Sequence, residues 1–172
     1  MDNDKKIEVK EANKLLYNKI ADSYESIDRR RSEGLLFWLR DRLKNISKDY
    51  YAKGKLFDIG CGSGFVIRAA QGIFDKKYGL DISHKILKKT SIFADGVVCA
   101  DVDFMPFKRE SIDIVVLFSV MHHFYNHREM IKEIHRVLKR GGILYIDHDM
   151  NSEFAKRFRF FLWISHAKDD GR

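Results

Sequence analysis

Proline is almost absent from this chain, Pro106 being the only one in 172 residues. Motifs built on Pro-Pro or Pro-Cys pairs are therefore missing. Cysteine is nearly as scarce. Cys61 and Cys99 stand in a glycine-rich and an apolar segment. Two such thiols make no disulfide framework and read as small buried residues of a reducing compartment. No apolar run reaches membrane-spanning length. The opening residues Met1-Asp2-Asn3-Asp4-Lys5-Lys6 lack the apolar core of a secretory signal, so the expected location is cytoplasmic. Internal repeats and low-complexity segments are absent too.

What is present fits one globular domain with a real core: 45% hydrophobic and 33% charged residues. The net charge of +7 is spread along the chain, with its densest cluster at Arg29-Arg30-Arg31. It reads first as a solvated lysine-rich surface and second as an attraction for an anionic partner, nucleic acid or a membrane surface.

Periodicity predicts alternating helices and strands. A first helix over 8–23 places Leu15, Leu16 and Ile20 on one side. A second starts at Ser32, a suitable N-cap, with Leu35, Leu36, Leu39, Leu43 and Ile46 at helical spacing. Strands follow at 55–59, 77–80, 96–100, 112–118 and 143–146, with helices expected at 65–73, after Ser83 and at 129–138. Gly141-Gly142 is the expected stop of that last helix. Several strands are nearly continuous apolar runs, as in a parallel sheet covered on both faces, which gives a doubly wound α/β domain. Beyond it, Phe154, Phe158, Phe161 and Leu162 line one side of an expected tail helix whose other residues include Lys156, Arg157 and Arg159. That pattern suits packing on the sheet or lying on a membrane surface.

The stretch Leu56-Phe57-Asp58-Ile59-Gly60-Cys61-Gly62-Ser63-Gly64 organises the rest. A strand, a glycine turn and a helix start let backbone approach a ligand closely. Acidic residues end three strands: Asp58, Asp81 and Asp101. A dinucleotide fingerprint needs a third glycine where Phe65 stands, and Asp58 beside the loop would repel a phosphate. An adenosine bearing an amino acid fits these charges better. An acid at the end of the second strand suits ribose hydroxyls.

Five ordered segments carry a resemblance: Asp58 to Gly64; Tyr78-Gly79-Leu80-Asp81-Ile82-Ser83; Cys99-Ala100-Asp101-Val102-Asp103-Phe104-Met105-Pro106-Phe107; Ser111 through His123; and Arg136-Val137-Leu138-Lys139-Arg140-Gly141-Gly142. Over roughly residues 13–148 the chain resembles class I S-adenosylmethionine-dependent methyltransferases, particularly the small-molecule, ubiquinone/menaquinone-type group. The resemblance implies a Rossmann-like, mostly parallel five-stranded sheet in order 3-2-1-4-5. It implies one domain, with a helical lid over 1–53, a cofactor-binding core over 54–148 and a helix and tail over 149–172. It also implies S-adenosylmethionine as methyl donor. Gly60, Cys61, Gly62 and Gly64 would line its methionine part, with Asp58 near the ammonium. Asp81, with Ile82 beside it, would take the ribose hydroxyls. Asp101 would accept from the adenine amino group, Val102 would lie beside the ring, and Phe118 and Ser119 would border the sulfonium. Tyr17 and Tyr24 fall in the stretch that looks like the lid. Arg140 replaces the family's usual proline, and the family's two further strands after the fifth are not found, so the chain looks truncated. The open edge of the fifth strand then calls for cover by the tail, a second copy or a partner.

Methyl transfer from a sulfonium needs alignment above all, and a base only where the acceptor must lose a proton. His122 and His123, just past the fourth strand, are the candidates. They, with His127 and His135, have no cysteine or acidic partner at familiar ligand spacing; Asp147-His148-Asp149 is a better cluster but reads as a solvated turn entering the tail helix, and no metal is expected. The absent prolines argue against base methylation of nucleic acid, because Phe118-Ser119-Val120-Met121 stands where an Asn/Asp-Pro-Pro-aromatic motif would. The expected acceptor is a small or lipid-like molecule. A tRNA or protein acceptor, and a non-catalytic cofactor-binding or interaction module, are the alternatives.

Overall fold

The computed structural model describes residues 3–27, 32–125 and 127–148. In chain order these form α1 (Asn3–Ile20), α2 (Tyr24–Ile27), α3 (Glu33–Asp49), β1 (Lys55–Ile59), α4 (Phe65–Ala69), β2 (Lys76–Asp81), α5 (His84–Thr90), β3 (Gly96–Cys99), β4 (Ile112–Phe118), a 3-10 turn (Met121–His123), α6 (Arg128–Val137) and β5 (Leu138–Asp147). The five strands pair in parallel in the order β3-β2-β1-β4-β5, the expected topology. Chain order reverses between β1 and β4, and there the carboxyl ends of an open α/β sheet leave a crevice.

Alternation along the central strands splits the core between two faces. Leu56, Ile114 and Val116 pack with Leu39, Leu43, Phe65 and Ile67 of α3 and α4. Phe57, Ile59, Val115 and Leu117 point the other way, against Met130, Ile134 and Val137 of α6. Each large side chain so buried contributes about 1.5–3 kcal/mol. Local signals set the helix starts: Leu35 N–H donates to Ser32 Oγ at 3.2 Å, and Ile86 N–H to Ser83 Oγ at 3.3 Å.

Four expectations are corrected. Cys99, at the end of the edge strand β3, is exposed rather than buried. Leu15 and Leu16 do not face inward, being 67% and 50% exposed. The inner stripe of α1 is polar, for the reason given below. The helix expected over 65–73 stops at Ala69, and the chain then turns through Gly72 at φ +71°. Gly141-Gly142 does not end α6. That helix ends at Val137, where Leu138 turns extended and pairs with Ile112. Regular pairing resumes at Ile143 with Ile114, so the segment between bulges through Gly141 at φ +74°.

Two polar clusters fix the loops. Asp113 accepts from Lys55 N–H at 2.7 Å and from Lys139 Nζ at 2.8 Å, tying the starts of β1 and β4. Arg136 pairs through Nε and Nη2 with Glu133 at 2.6 and 2.7 Å and donates to the carbonyls of Phe107 and Met105 at 2.7 and 2.8 Å. Glu133 in turn accepts from Met105 N–H at 2.9 Å. The segment after β3 is thus clamped to α6. No helix among the described residues is long and apolar enough to cross a membrane. The Arg29-Arg30-Arg31 cluster and the expected tail helix lie outside the described residues.

Candidate functional site

The glycine loop after β1 is held from below by the neighbouring strand. Gly60 and Cys61 N–H both donate to the Leu80 carbonyl, at 2.7 and 3.0 Å. Gly62 N–H donates to Asp81 Oδ2 at 3.0 Å, and Gly64 N–H to the Cys61 carbonyl at 2.9 Å. These four amides are engaged within the protein, which leaves the loop poorly supplied with donors for a pyrophosphate. Gly60 has φ +66°, and a Cβ there would lie 2.2 Å from Val120 Cγ2. Only glycine fits. Asp58, 1% exposed, sits under the loop rather than in the cleft wall. Burial, then the charges of Asp58 and Asp81, push the Cys61 thiol well above its ordinary range, so it is an inert packing group.

The strand ends and α1 enclose a cleft of about 880 Å³, counting the space open at its mouth. Gly60, Gly62, Asp81 and Ile82 form one part of its lining. Asp101 and Val102 line it after β3, and Ser119 and His123 after β4, with Tyr24 from α2. Cys61, Gly64, Phe118 and His122 stand outside the lining. Gly64 starts α4 at φ +85°. Phe118 packs on Phe65 and stacks on His148, with centroids 5.7 and 4.5 Å apart. Ser119 takes φ +56°, unusual for a non-glycine residue, with its N–H on the Asp147 carbonyl at 2.9 Å.

Each oxygen of Asp81 already accepts a backbone amide, Oδ2 from Gly62 and Oδ1 from Ser83 at 2.9 Å. The carboxylate is thereby fixed in orientation, and a carboxylate oxygen can accept more than one donor. Asp101 Oδ1 accepts from Asp103 N–H at 3.0 Å, and its Oδ2 pairs with Lys10 of α1. Asp103 also takes Lys10 at 2.6 Å and Lys6 at 2.5 Å. Burial alone would raise the Asp103 carboxyl, but the hydrogen bonds from Lys10 and Lys6 outweigh it and hold it below the usual carboxylate range.

Lys6, Lys10, Asn13 and Tyr17 recur at three- and four-residue spacing and form the polar stripe of α1. Asn13 Nδ2 donates to the His123 carbonyl at 3.0 Å, and Tyr17 Oη lies 2.7 Å from His123 Nε2 with the two rings edge to face. Tyr24 meets Tyr17 edge-on at 5.9 Å. Ser83 Oγ–H donates to Asn18 Oδ1 at 2.8 Å. Of this stripe the sequence pointed only to Tyr17, since a search for an apolar face passes over Lys6, Lys10 and Asn13, which meet the cleft. Of the two adjacent histidines, His123 faces the cleft and His122 is exposed, their rings 4.0 Å apart. Among the described residues no three or more His, Cys, Asp or Glu side chains are grouped to hold a metal ion.

Residues 57–146 match the family model described as a methyltransferase domain. An uncharacterized protein of Methanocaldococcus jannaschii is 34% identical over 99 residues, covering 58% of this chain and 46% of that protein. The uncharacterized methyltransferase YcgJ of Bacillus subtilis is 30% identical over 105 residues, covering 56% and 42%. The chain thus spans less than half the length of either. In structure it is similar to a Methanococcus maripaludis protein assigned to the S-adenosyl-L-methionine-dependent methyltransferases, with TM-score 0.64 and 22% identity over 83% of this chain and 71% of that one. The matched segment runs from inside β1 to residue 146, within β5, and contains the glycine loop and all three strand-end acids, and the chain belongs to the methyltransferase-domain family.

Proposed function

We propose that this chain carries out methyl transfer from S-adenosylmethionine to a nitrogen or oxygen of a small-molecule acceptor, with His123 as the group that takes the acceptor's proton. The observation that carries the reading is the 2.7 Å contact between Tyr17 Oη and His123 Nε2 at the cleft wall. A half-buried hydroxyl–imidazole pair holds a ring orientation and favours one tautomer. It also stands beyond the carboxyl end of β4, next to Ser119, where an acceptor has to approach.

The residues present fit the donor. Asp81, oriented by two backbone amides, would take the ribose hydroxyls, and Asp101 the adenine amino group, with Val102 against the ring. Gly60 and Gly62 allow the amino-acid part to lie against the loop, and Asp58 below contributes negative charge toward its ammonium. Tyr24, Ile82, Phe118 and Ser119 complete the surroundings, Phe118 from behind the wall. Cys61 and Gly64 shape the loop without facing the ligand. When bound, the donor supplies an activated methyl on a sulfonium. The protein's work is to align the acceptor lone pair with the methyl–sulfur bond, to keep water out beneath α1, and to receive one proton at His123.

The test is formation of S-adenosylhomocysteine across a panel of small amines, phenols and carboxylic acids. His123→Gln is expected to lower turnover about 100-fold or more on the best acceptor. Its affinity for S-adenosylhomocysteine should stay within about two-fold of wild type, since positioning and proton transfer are separable. Unchanged turnover in His123→Gln would remove His123 from the mechanism.

A further inference from the structure

The adenine end of the cleft carries a cluster of which the proposed function uses only Asp101. Two ammonium groups of α1, on Lys6 and Lys10, face two carboxylates of the segment after β3, Asp101 and Asp103. The cluster is balanced in charge and unevenly shared. Asp103, its side chain 5% exposed, holds both lysines. Asp101, 30% exposed, holds Lys10 alone, and does so through Oδ2, because Oδ1 is turned back to Asp103 N–H. Lys10 can therefore leave Asp101 and still keep a charged partner. The same four side chains also border an adjoining open depression, beside Ile7 and Phe104, so space to re-seat an ammonium exists there.

This bears on how a base is read. A neutral amino group and an ammonium are both donors, and both are drawn to the outward oxygen of Asp101, since Oδ1 is already turned to Asp103 N–H. We propose that Lys10 is a specificity-setting residue of the adenine site: it occupies Asp101 Oδ2 in the unliganded chain and yields that oxygen to the 6-amino group of the base while retaining Asp103. The inference rests on the reading of Asp101 as the adenine acceptor. Its consequence is quantitative. The bond gained by the amino group is offset by the charge-assisted bond lost by Lys10, so the wild-type protein prefers a 6-amino purine by less than Asp101 alone would allow. The exchange also links base recognition to α1, which is fastened at its other end by Asn13 and Tyr17 to His123.

The experiment compares S-adenosylhomocysteine with its purine analogue lacking the 6-amino group, titrated calorimetrically into wild type, Lys10→Met and Asp101→Asn. The preference for the amino-bearing ligand is expected to rise about five-fold or more in Lys10→Met, the size of one hydrogen bond to a charged group. It is also expected to rise with salt in the wild type, as the part-exposed ion pair is screened. Asp101→Asn should bring the preference close to one. Equal preferences in wild type and Lys10→Met, with Asp101→Asn still collapsing them, would overturn the role of Lys10 and leave the adenine reading intact. A preference that survives Asp101→Asn would overturn the adenine reading itself. Should Lys10→Met fold poorly by circular dichroism, Lys10→Gln and the salt series in wild type decide the matter.

Discussion

Gly60→Ala tests the geometry of the loop that positions everything else. The backbone there has φ +66°, and the added Cβ would sit 2.2 Å from Val120 Cγ2 and 3.1 Å from Val120 Cβ. Two costs follow. Placing an L-residue in the left-handed region costs about 1–2 kcal/mol. Overpacking against Val120, a buried side chain that cannot swing into solvent, costs about 1–3 kcal/mol more. The expected loss is thus about 2–5 kcal/mol, a large part of the roughly 5–15 kcal/mol that holds a domain together. Urea unfolding followed by circular dichroism reads it as a fall in midpoint. The two costs separate in a double-mutant cycle with Val120→Ala, which removes the offending Cγ2 methyl. The pair should recover about 1–2 kcal/mol relative to additivity while the backbone cost persists. A Gly60→Ala midpoint equal to wild type would refute the loop conformation. Strict additivity with Val120→Ala would refute the contact.

Arg136→Met removes the clamp on the Met105 and Phe107 carbonyls and should cost about 1.5–3 kcal/mol, the value of hydrogen bonds to a charged group. Hydrogen exchange should then quicken in 103–107 before the sheet opens, and uniform protection would argue against the clamp. Asp95 is held at about 2 by the hydrogen bond from Lys76 and by the Lys77 amide. A depressed carboxyl contributes stability that is complete above its unfolded value of about 3.9 and is lost as pH falls through the folded value. Asp95→Asn should therefore destabilise by about 1 kcal/mol at neutral pH, allowing for solvent screening at this part-exposed site. The gap from wild type should close between about pH 4 and pH 2, and a gap constant over that range would contradict the assignment.

The sheet was legible because its signals are local and redundant. The run over 112–118 is buried along almost its whole length, and such strands need helices on both faces. The three strand-end acids fall where the topology puts a cleft, and two of them line it directly. The inner face of α1 was not legible. Leu15 and Leu16 gave the helix an apolar side, but in the structure Lys6, Lys10, Asn13 and Tyr17 are the residues of α1 that, with Val9, line the cleft. Nor could the sequence separate His122 from His123. In a 3-10 turn successive side chains point about 120° apart, so one faces the cleft and its neighbour faces solvent. The role of Arg136 was hidden too, because two of its partners are backbone carbonyls some thirty positions earlier, and a carbonyl carries no side-chain signal in the sequence.

The claim on which the rest depends is that the cleft under α1 binds the donor through the strand-end acids. Calorimetric titration with S-adenosylhomocysteine tests it most directly. The account predicts one site per chain in the wild type and a loss of affinity of about ten-fold or more in Asp81→Ala, whose carboxylate would otherwise accept the ribose hydroxyls by charge-assisted bonds. The variant's fold is verified by its melting curve. No heat with the wild type, or equal affinity in a folded Asp81→Ala, would contradict the account.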